Sequence, residues 1–106
     1  MNVAVPNQRR IIGFYGPEKQ TAIHMEECAE LIQAISKMRR SQDIPPDDDT
    51  EAYYNLVEEI ADVLISIDQL MLIYGIAGTE VQAMVDKKCH RQEKRMHDAI
   101  KKNLEG

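Results

Sequence analysis

The stretch that decides the fold is LVEEIADVLISIDQLMLI, residues 56–73. Apolar side chains surround most of a helix drawn through it, and such a helix must be covered by other helices. Asp48 and Glu51 form a predicted capping box at its start, and Gly75 is a natural residue to end it. The sequence therefore predicts a central helix that runs to about Tyr74.

A long helix is predicted on each side of the central one. The first covers about residues 17–40, with Gly16 as its N-cap, and its apolar positions recur at helical spacing: Met25, Cys28, Leu31, Ile32, Ile35 and Met38. The third covers about residues 79–103 and begins at a capping box of Thr79 and Gln82. Together these patterns predict three long helices and no strand.

Turn-forming residues predict where the helices are connected. Ser41–Asp49 is a predicted loop, because Pro45 and Pro46 cannot continue a helix. Gly75–Gly78 is a tight connection. The first 13 residues are not assigned, since Asn7–Ile12 fits either a short helix or an extended arm.

Size and composition restrict the possible functions. A chain of 106 residues and 12.1 kDa is a single domain, 1–106, with 18 acidic and 13 basic residues. This acidic balance argues against nucleic-acid binding, and no apolar run approaches a membrane span. Cys28 and Cys89 lack metal-binding or CxxC spacing, which indicates reduced thiols in a cytoplasmic protein.

The small size also favours self-association. A chain this short buries only about 60–65% of its unfolded surface, so a monomer would be marginally stable. We therefore expect an all-α fold in which the three long helices complete a four-helix-type bundle on oligomerisation. The expected assembly is a homodimer or a homotetramer.

A short sequence motif occurs twice, once on each of the first two predicted long helices. Residues 26–31 are EECAEL and residues 58–63 are EEIADV. Positions i and i+3 share one helix face, so Glu27 aligns with Glu30 and Glu59 aligns with Asp62. If the two helices are antiparallel, both pairs can meet in one four-carboxylate pocket.

The surroundings of these carboxylates favour a metal site. On the central helix they belong to one narrow polar stripe with apolar residues on both sides: Asn55, Glu59, Asp62, Ser66 and Gln69. None of the four carboxylates has Lys or Arg four residues downstream to neutralise it. Grouped carboxylates at an apolar surface need a cation, and all-oxygen ligands suit Mg²⁺ or Mn²⁺. A di-iron bundle is excluded because neither pair ends in His.

Basic residues cluster on the third helix. Lys88, Arg91 and Arg95 lie at i, i+3 and i+7, on one face. The simple interpretation is a solvated helix end that compensates the helix dipole. Beside a divalent cation, the same face would suit a polyphosphate, and the two features together favour that interpretation.

The two carboxylate pairs and their helical context resemble the all-α nucleoside triphosphate pyrophosphohydrolases, the MazG-like proteins. This family is related to the dimeric dUTPases and to phosphoribosyl-ATP pyrophosphohydrolase. The resemblance covers about residues 15–95. It implies hydrolysis of a nucleoside triphosphate between the α and β phosphates, with a role in nucleotide-pool housecleaning. Two alternatives stay open: a phosphoribosyl-ATP pyrophosphohydrolase-like activity, and a non-catalytic helical dimerisation module.

The resemblance also implies roles for individual residues. The Mg²⁺ ligands would be Glu27, Glu30, Glu59 and Asp62, with Mn²⁺ as a substitute. Glu26 or Glu30 would take the proton of the attacking water. The phosphates would be held by Lys88 and Arg91, with Arg95 as an addition. The other candidate nucleotide contacts are Gln20, His24 and Asn55; for His24 the alternative is a hydrogen-bonded bystander.

Overall fold

The computed structural model describes residues 1–43 and 49–106, without the side chain of Asp43. Within these ranges the chain is all-α, with helices α1 (Arg9–Tyr15), α2 (Pro17–Asp43), α3 (Thr50–Tyr74) and α4 (Gly78–Glu105). The three predicted long helices are confirmed, and α1 shows that the unassigned N-terminal region contains a short helix. None of the described helices combines the length and hydrophobicity that crossing a membrane requires.

Two glycines mark helix ends as predicted. Gly16 lies between α1 and α2 at φ 89°, and its carbonyl accepts a hydrogen bond from the Gln20 amide at 3.1 Å. Gly75 ends α3 in the left-handed conformation at φ 65°. Both positions have positive φ, which costs a glycine little because it has no Cβ.

The predicted end of α2 is three residues too early. The helix continues past Arg40 to Asp43, and the Ser41 hydroxyl donates a hydrogen bond to the Met38 carbonyl at 2.9 Å. Polar residues without Pro or Gly can extend a helix into solvent, so hydropathy alone did not reveal this turn. Residues 44–48 of the predicted loop, with the capping residue Asp48, lie outside the described ranges, and Asp49 directly precedes α3.

The predicted capping box at the start of α4 is wrong. The helix begins at Gly78 after an extended Ala77, which makes no side-chain capping bond. The Gln82 side chain donates instead to the Asp86 carboxylate at 2.9 Å, one turn further along. The same helix extends to Glu105, two residues beyond the prediction. Contacts divide the chain into two compact units, Met1–Gly75 and Ile76–Gly106.

In the first unit, α2 packs against α3, and α1 contacts both. The interior of this unit is mostly polar. Apart from Ala34, its buried residues are Gln20, His24, Ser66 and Gln69. Part of the apolar surface of α2 and α3 is exposed: Ile32 is 68% exposed and Ile67 is 44% exposed. Other apolar side chains of the two helices, such as Leu31 and Leu70, are half-buried. Cys28, one of the apolar positions predicted for the first long helix, is also exposed.

Candidate metal centre and adjoining pocket

The packing of α2 against α3 brings the predicted carboxylates together. Glu27, Glu30 and Glu59 each offer one oxygen, and these three oxygens lie within 4.8 Å of one another. Asp62 lies beside them and lines one small pocket together with Glu27. We call these four residues the carboxylate cluster. Local helix periodicity aligned each pair, and the α2–α3 contact joined the two pairs.

The electrostatics of the cluster show mutual repulsion. Burial is the largest cause that raises the pKa of Glu27, followed by the negative charges of Asp62, Glu30 and Glu59. Burial likewise raises the pKa of Glu59, followed by the charges of Glu30 and Asp62. Desolvation and like charges both disfavour an ionised carboxylate, so each further charge in the cluster carries a free-energy penalty. A bound cation would remove that penalty.

The donor atoms fit a hard divalent cation. Glu27 and Glu59 each keep one buried carboxylate oxygen, Oε2, that has no hydrogen-bond partner among the described residues. Carboxylate oxygens are the ligands that Mg²⁺ and Mn²⁺ prefer. The arrangement could therefore hold such an ion, with partnerless oxygens available for coordination.

A small pocket adjoins the cluster. Its volume is about 110 Å³, and it is lined by Glu27 and Asp62 at the cluster and by further residues of α2 and α3: Gln20, Ile23, His24, Ile65, Ser66 and Gln69. We call it the polar pocket. Burial lowers the pKa of His24, which favours the neutral imidazole. Two of the predicted nucleotide contacts, Gln20 and His24, thus lie beside two of the predicted metal ligands.

A family model for the MazG nucleotide pyrophosphohydrolase domain matches residues 16–97, which is most of the chain. The chain belongs to the MazG family. No curated protein and no solved structure matches it. The matched MazG segment contains the whole carboxylate cluster and the three basic residues of α4.

The remaining predicted site residues of this MazG domain lie elsewhere. Asn55 lines a different surface pocket, together with Lys37 and Glu51. Glu26 is exposed on α2, next to the cluster in sequence. On α4, in the second unit, the three basic residues are exposed: Lys88, Arg91 and Arg95.

Sequence reasoning missed three residues around the polar pocket. Ser66 and Gln69 are both 3% exposed and line it, although the sequence showed them only as members of the polar stripe on the central helix. The continuation of that stripe beyond Asp62 was the signal that could have placed them in the site. Gln8, from the unassigned N-terminal segment, hydrogen-bonds to Gln69 at 3.2 Å. No local pattern predicts that contact, because 61 residues separate the two partners.

Proposed function

We propose that this MazG-family chain is a Mg²⁺-dependent nucleoside triphosphate pyrophosphohydrolase. It would cleave the α–β phosphoanhydride bond and release a nucleoside monophosphate and pyrophosphate, as an enzyme of nucleotide-pool housecleaning. The observation that carries the proposal is the carboxylate cluster inside a MazG domain. Two free cysteines suit the reducing cytoplasm, where we place the enzyme.

The cluster supplies the metal ligands and the base. Glu27, Glu59 and Asp62 would hold Mg²⁺ together with Glu30, and Mn²⁺ would substitute. A bound divalent ion contributes Lewis acidity and lowers the pKa of the attacking water. The proton of that water would pass to a carboxylate, either Glu30 within the cluster or the neighbouring Glu26.

The basic face of α4 supplies charge for the phosphates. Lys88, Arg91 and Arg95 recur at i, i+3 and i+7, so their side chains leave the helix on one side. Arg can bind phosphate oxygens through two hydrogen bonds at once, and Lys adds a mobile point charge. In our proposal these residues bind the substrate and stabilise charge on the departing pyrophosphate.

We further propose that the functional unit is a homodimer or a homotetramer. The apolar faces of α2 and α3 are substantially exposed in one chain; examples are Met25 at 76% and Val57 at 47%. An exposed apolar surface of this kind is typical of an association site. Asp68 supports the same view, since its Oδ2 is buried without a hydrogen-bond partner in the described residues. A basic side chain of a second subunit would satisfy that oxygen.

The test is a nucleotide panel with two adjacent, chemically identical substitutions. Ribo- and deoxyribonucleoside triphosphates, together with phosphoribosyl-ATP, are incubated with and without Mg²⁺, and pyrophosphate and orthophosphate are measured separately. Glu59→Gln removes a cluster ligand. Glu58→Gln makes the same change one residue earlier, on an exposed side chain outside the cluster.

We expect Mg²⁺-dependent pyrophosphate release by the wild type and by Glu58→Gln, and none by Glu59→Gln. Turnover of phosphoribosyl-ATP alone would replace the proposed substrate class by that alternative. Mg²⁺ binding without turnover of any nucleotide would favour a non-catalytic module. Full activity of Glu59→Gln at saturating Mg²⁺ would contradict the proposed metal site.

A further inference from the structure

Three glutamine side chains form a continuous hydrogen-bonded relay across the first unit. The Gln20 amide nitrogen donates to the Gln69 oxygen at 3.0 Å, and the Gln69 nitrogen donates to the Gln8 oxygen at 3.2 Å. The Gln8 nitrogen then donates to the backbone carbonyl of Pro6 at 2.9 Å. The relay thus runs from the buried polar pocket to the N-terminal segment, and its inner members Gln20 and Gln69 are 6% and 3% exposed.

The last partner sets the direction of the whole relay. A backbone carbonyl can only accept a hydrogen bond, so Gln8 must turn its NH₂ group towards Pro6. Its oxygen is then left for Gln69, which must present NH₂ to Gln8 and its own oxygen to Gln20. Gln20 consequently uses its NH₂ group within the relay. Flipping any one of these side-chain amides would place two donors or two acceptors against each other.

The free end of the relay is therefore an acceptor. The Gln20 oxygen is buried and has no hydrogen-bond partner among the described residues, and both ring nitrogens of His24 share that condition. Buried polar atoms without partners are rare and destabilising. Both side chains line the polar pocket, so a group that enters this pocket can complete their hydrogen bonds.

The chemistry of the lining favours the edge of a nucleobase. Apart from Glu27 and Asp62 at the cluster, the pocket is lined by neutral side chains, with Ile23 and Ile65 as apolar surfaces for a ring. No lysine or arginine lines it, so it does not suit a phosphate. Its 110 Å³ equals the liquid volume of roughly four waters, enough for one edge of a base.

We propose that Gln20 is a hydrogen-bond acceptor of fixed polarity that binds an amino or imino N–H on the edge of the nucleobase, and that Gln69 and Gln8 are positioning residues that hold it in this orientation. This inference rests on the proposed nucleotide substrate. It adds a contact with the base, and it proposes that Gln8 determines the orientation of that contact through its own hydrogen bonds to Gln69 and the Pro6 carbonyl.

Two substitutions at Gln8 test the polarity directly. In Gln8→Glu the carboxylate still accepts from Gln69, so the relay keeps its direction. In Gln8→Lys the side chain can only donate, so Gln69 must turn its oxygen towards it. The Gln69 NH₂ group then faces Gln20, and Gln20 must flip and present NH₂ to the pocket. A third variant, Gln20→Met, removes the acceptor altogether.

The readout is a ratio of kcat/KM values for matched substrates. The best nucleotide of the panel is compared with a derivative that lacks its base donor, for example ATP with purine riboside triphosphate, or UTP with 3-methyl-UTP. Both members of a pair carry the same triphosphate, so charge effects on phosphate binding cancel in the ratio. Far-UV circular dichroism checks that each variant is folded.

We expect the wild type and Gln8→Glu to prefer the donor-bearing base by about 10-fold or more. Gln20→Met should lose the preference, and Gln8→Lys should lose or reverse it. Equal ratios in the wild type, Gln8→Glu and Gln8→Lys would overturn the proposal, as would a wild-type ratio near one, which indicates that water alone satisfies these atoms.

The same ratio is measured as equilibrium binding of the matched nucleoside monophosphates. If no triphosphate is hydrolysed, the proposed function fails, but the binding ratio still tests the polarity of Gln20. If triphosphates are hydrolysed without discrimination, only the base-recognition inference fails.

Discussion

Replacing Glu27 by Gln should make the metal-free protein more stable than the metal-free wild type. In the presence of Mg²⁺ the same variant should be less stable than the wild type. The carboxylate oxygens of Glu27, Glu30 and Glu59 lie within 4.8 Å of one another. At that separation two unit charges repel by about 1 kcal/mol in water. Glu27 has two such neighbours and a third negative charge in Asp62, and screening by salt and solvent reduces the sum to about 1 kcal/mol.

The amide keeps the shape of the side chain and removes its charge. A gain of about 1 kcal/mol corresponds to a rise in melting temperature of about 4–8 °C for a domain of this size. Mg²⁺ at 100 times its dissociation constant should stabilise the wild type by about 2.7 kcal/mol. If the loss of one ligand weakens binding about 100-fold, the variant gains only about 0.4 kcal/mol from the same Mg²⁺.

The assay is thermal unfolding at one protein concentration, in EDTA and in Mg²⁺, for the wild type, Glu27→Gln and the exposed control Glu58→Gln. We expect the order of stability of the wild type and Glu27→Gln to reverse between the two conditions, while Glu58→Gln follows the wild type. The reasoning is refuted if Glu27→Gln melts lower in EDTA and gains as much from Mg²⁺ as the wild type does.

Three further predictions concern pH, assembly and the sharing of the site. Because folding raises the pKa of Glu27 and Glu59 above the ordinary value of 4.5, their contribution to stability is present at low pH and is lost as pH rises through the folded pKa. Lowering the pH from neutral towards the ordinary value of 4.5 should therefore favour the metal-free wild type more than Glu27→Gln. The effect of neutral His24 opposes this trend but cancels in the comparison, so parallel curves would contradict the prediction. Sedimentation at micromolar concentration should show at least a dimer, whose interface we expect to exceed roughly 1,000 Å². Ile32→Glu should weaken this dimer. A fully active 12.1 kDa monomer would argue against assembly. Mixing Asp62→Asn with Arg91→Ala subunits should restore activity if the basic face of one subunit serves the cluster of another, whereas no recovery after demonstrated subunit exchange would favour a site within one chain.

The sequence by itself determined the features that depend on neighbours along one helix. The period of the apolar residues predicted three long helices, and the glycines at 16 and 75 marked helix ends that the structure has. Spacing of three residues aligned Glu27 with Glu30 and Glu59 with Asp62, because such positions share a helix face in any α-helix. Local geometry was therefore sufficient to propose the carboxylate cluster.

Only the tertiary structure decided which face of each helix points inward. The apolar central helix was expected to be covered by other helices, including those of a second subunit. Within one chain its buried residues are Ser66 and Gln69, and Ile67 between them is 44% exposed. Two packed helices cover only one stripe of each other, and in this unit the most deeply covered positions of α3 are polar. The relay through Gln8, Gln20 and Gln69 likewise needed the fold, because it joins side chains 49 and 61 residues apart, which no periodic pattern can connect.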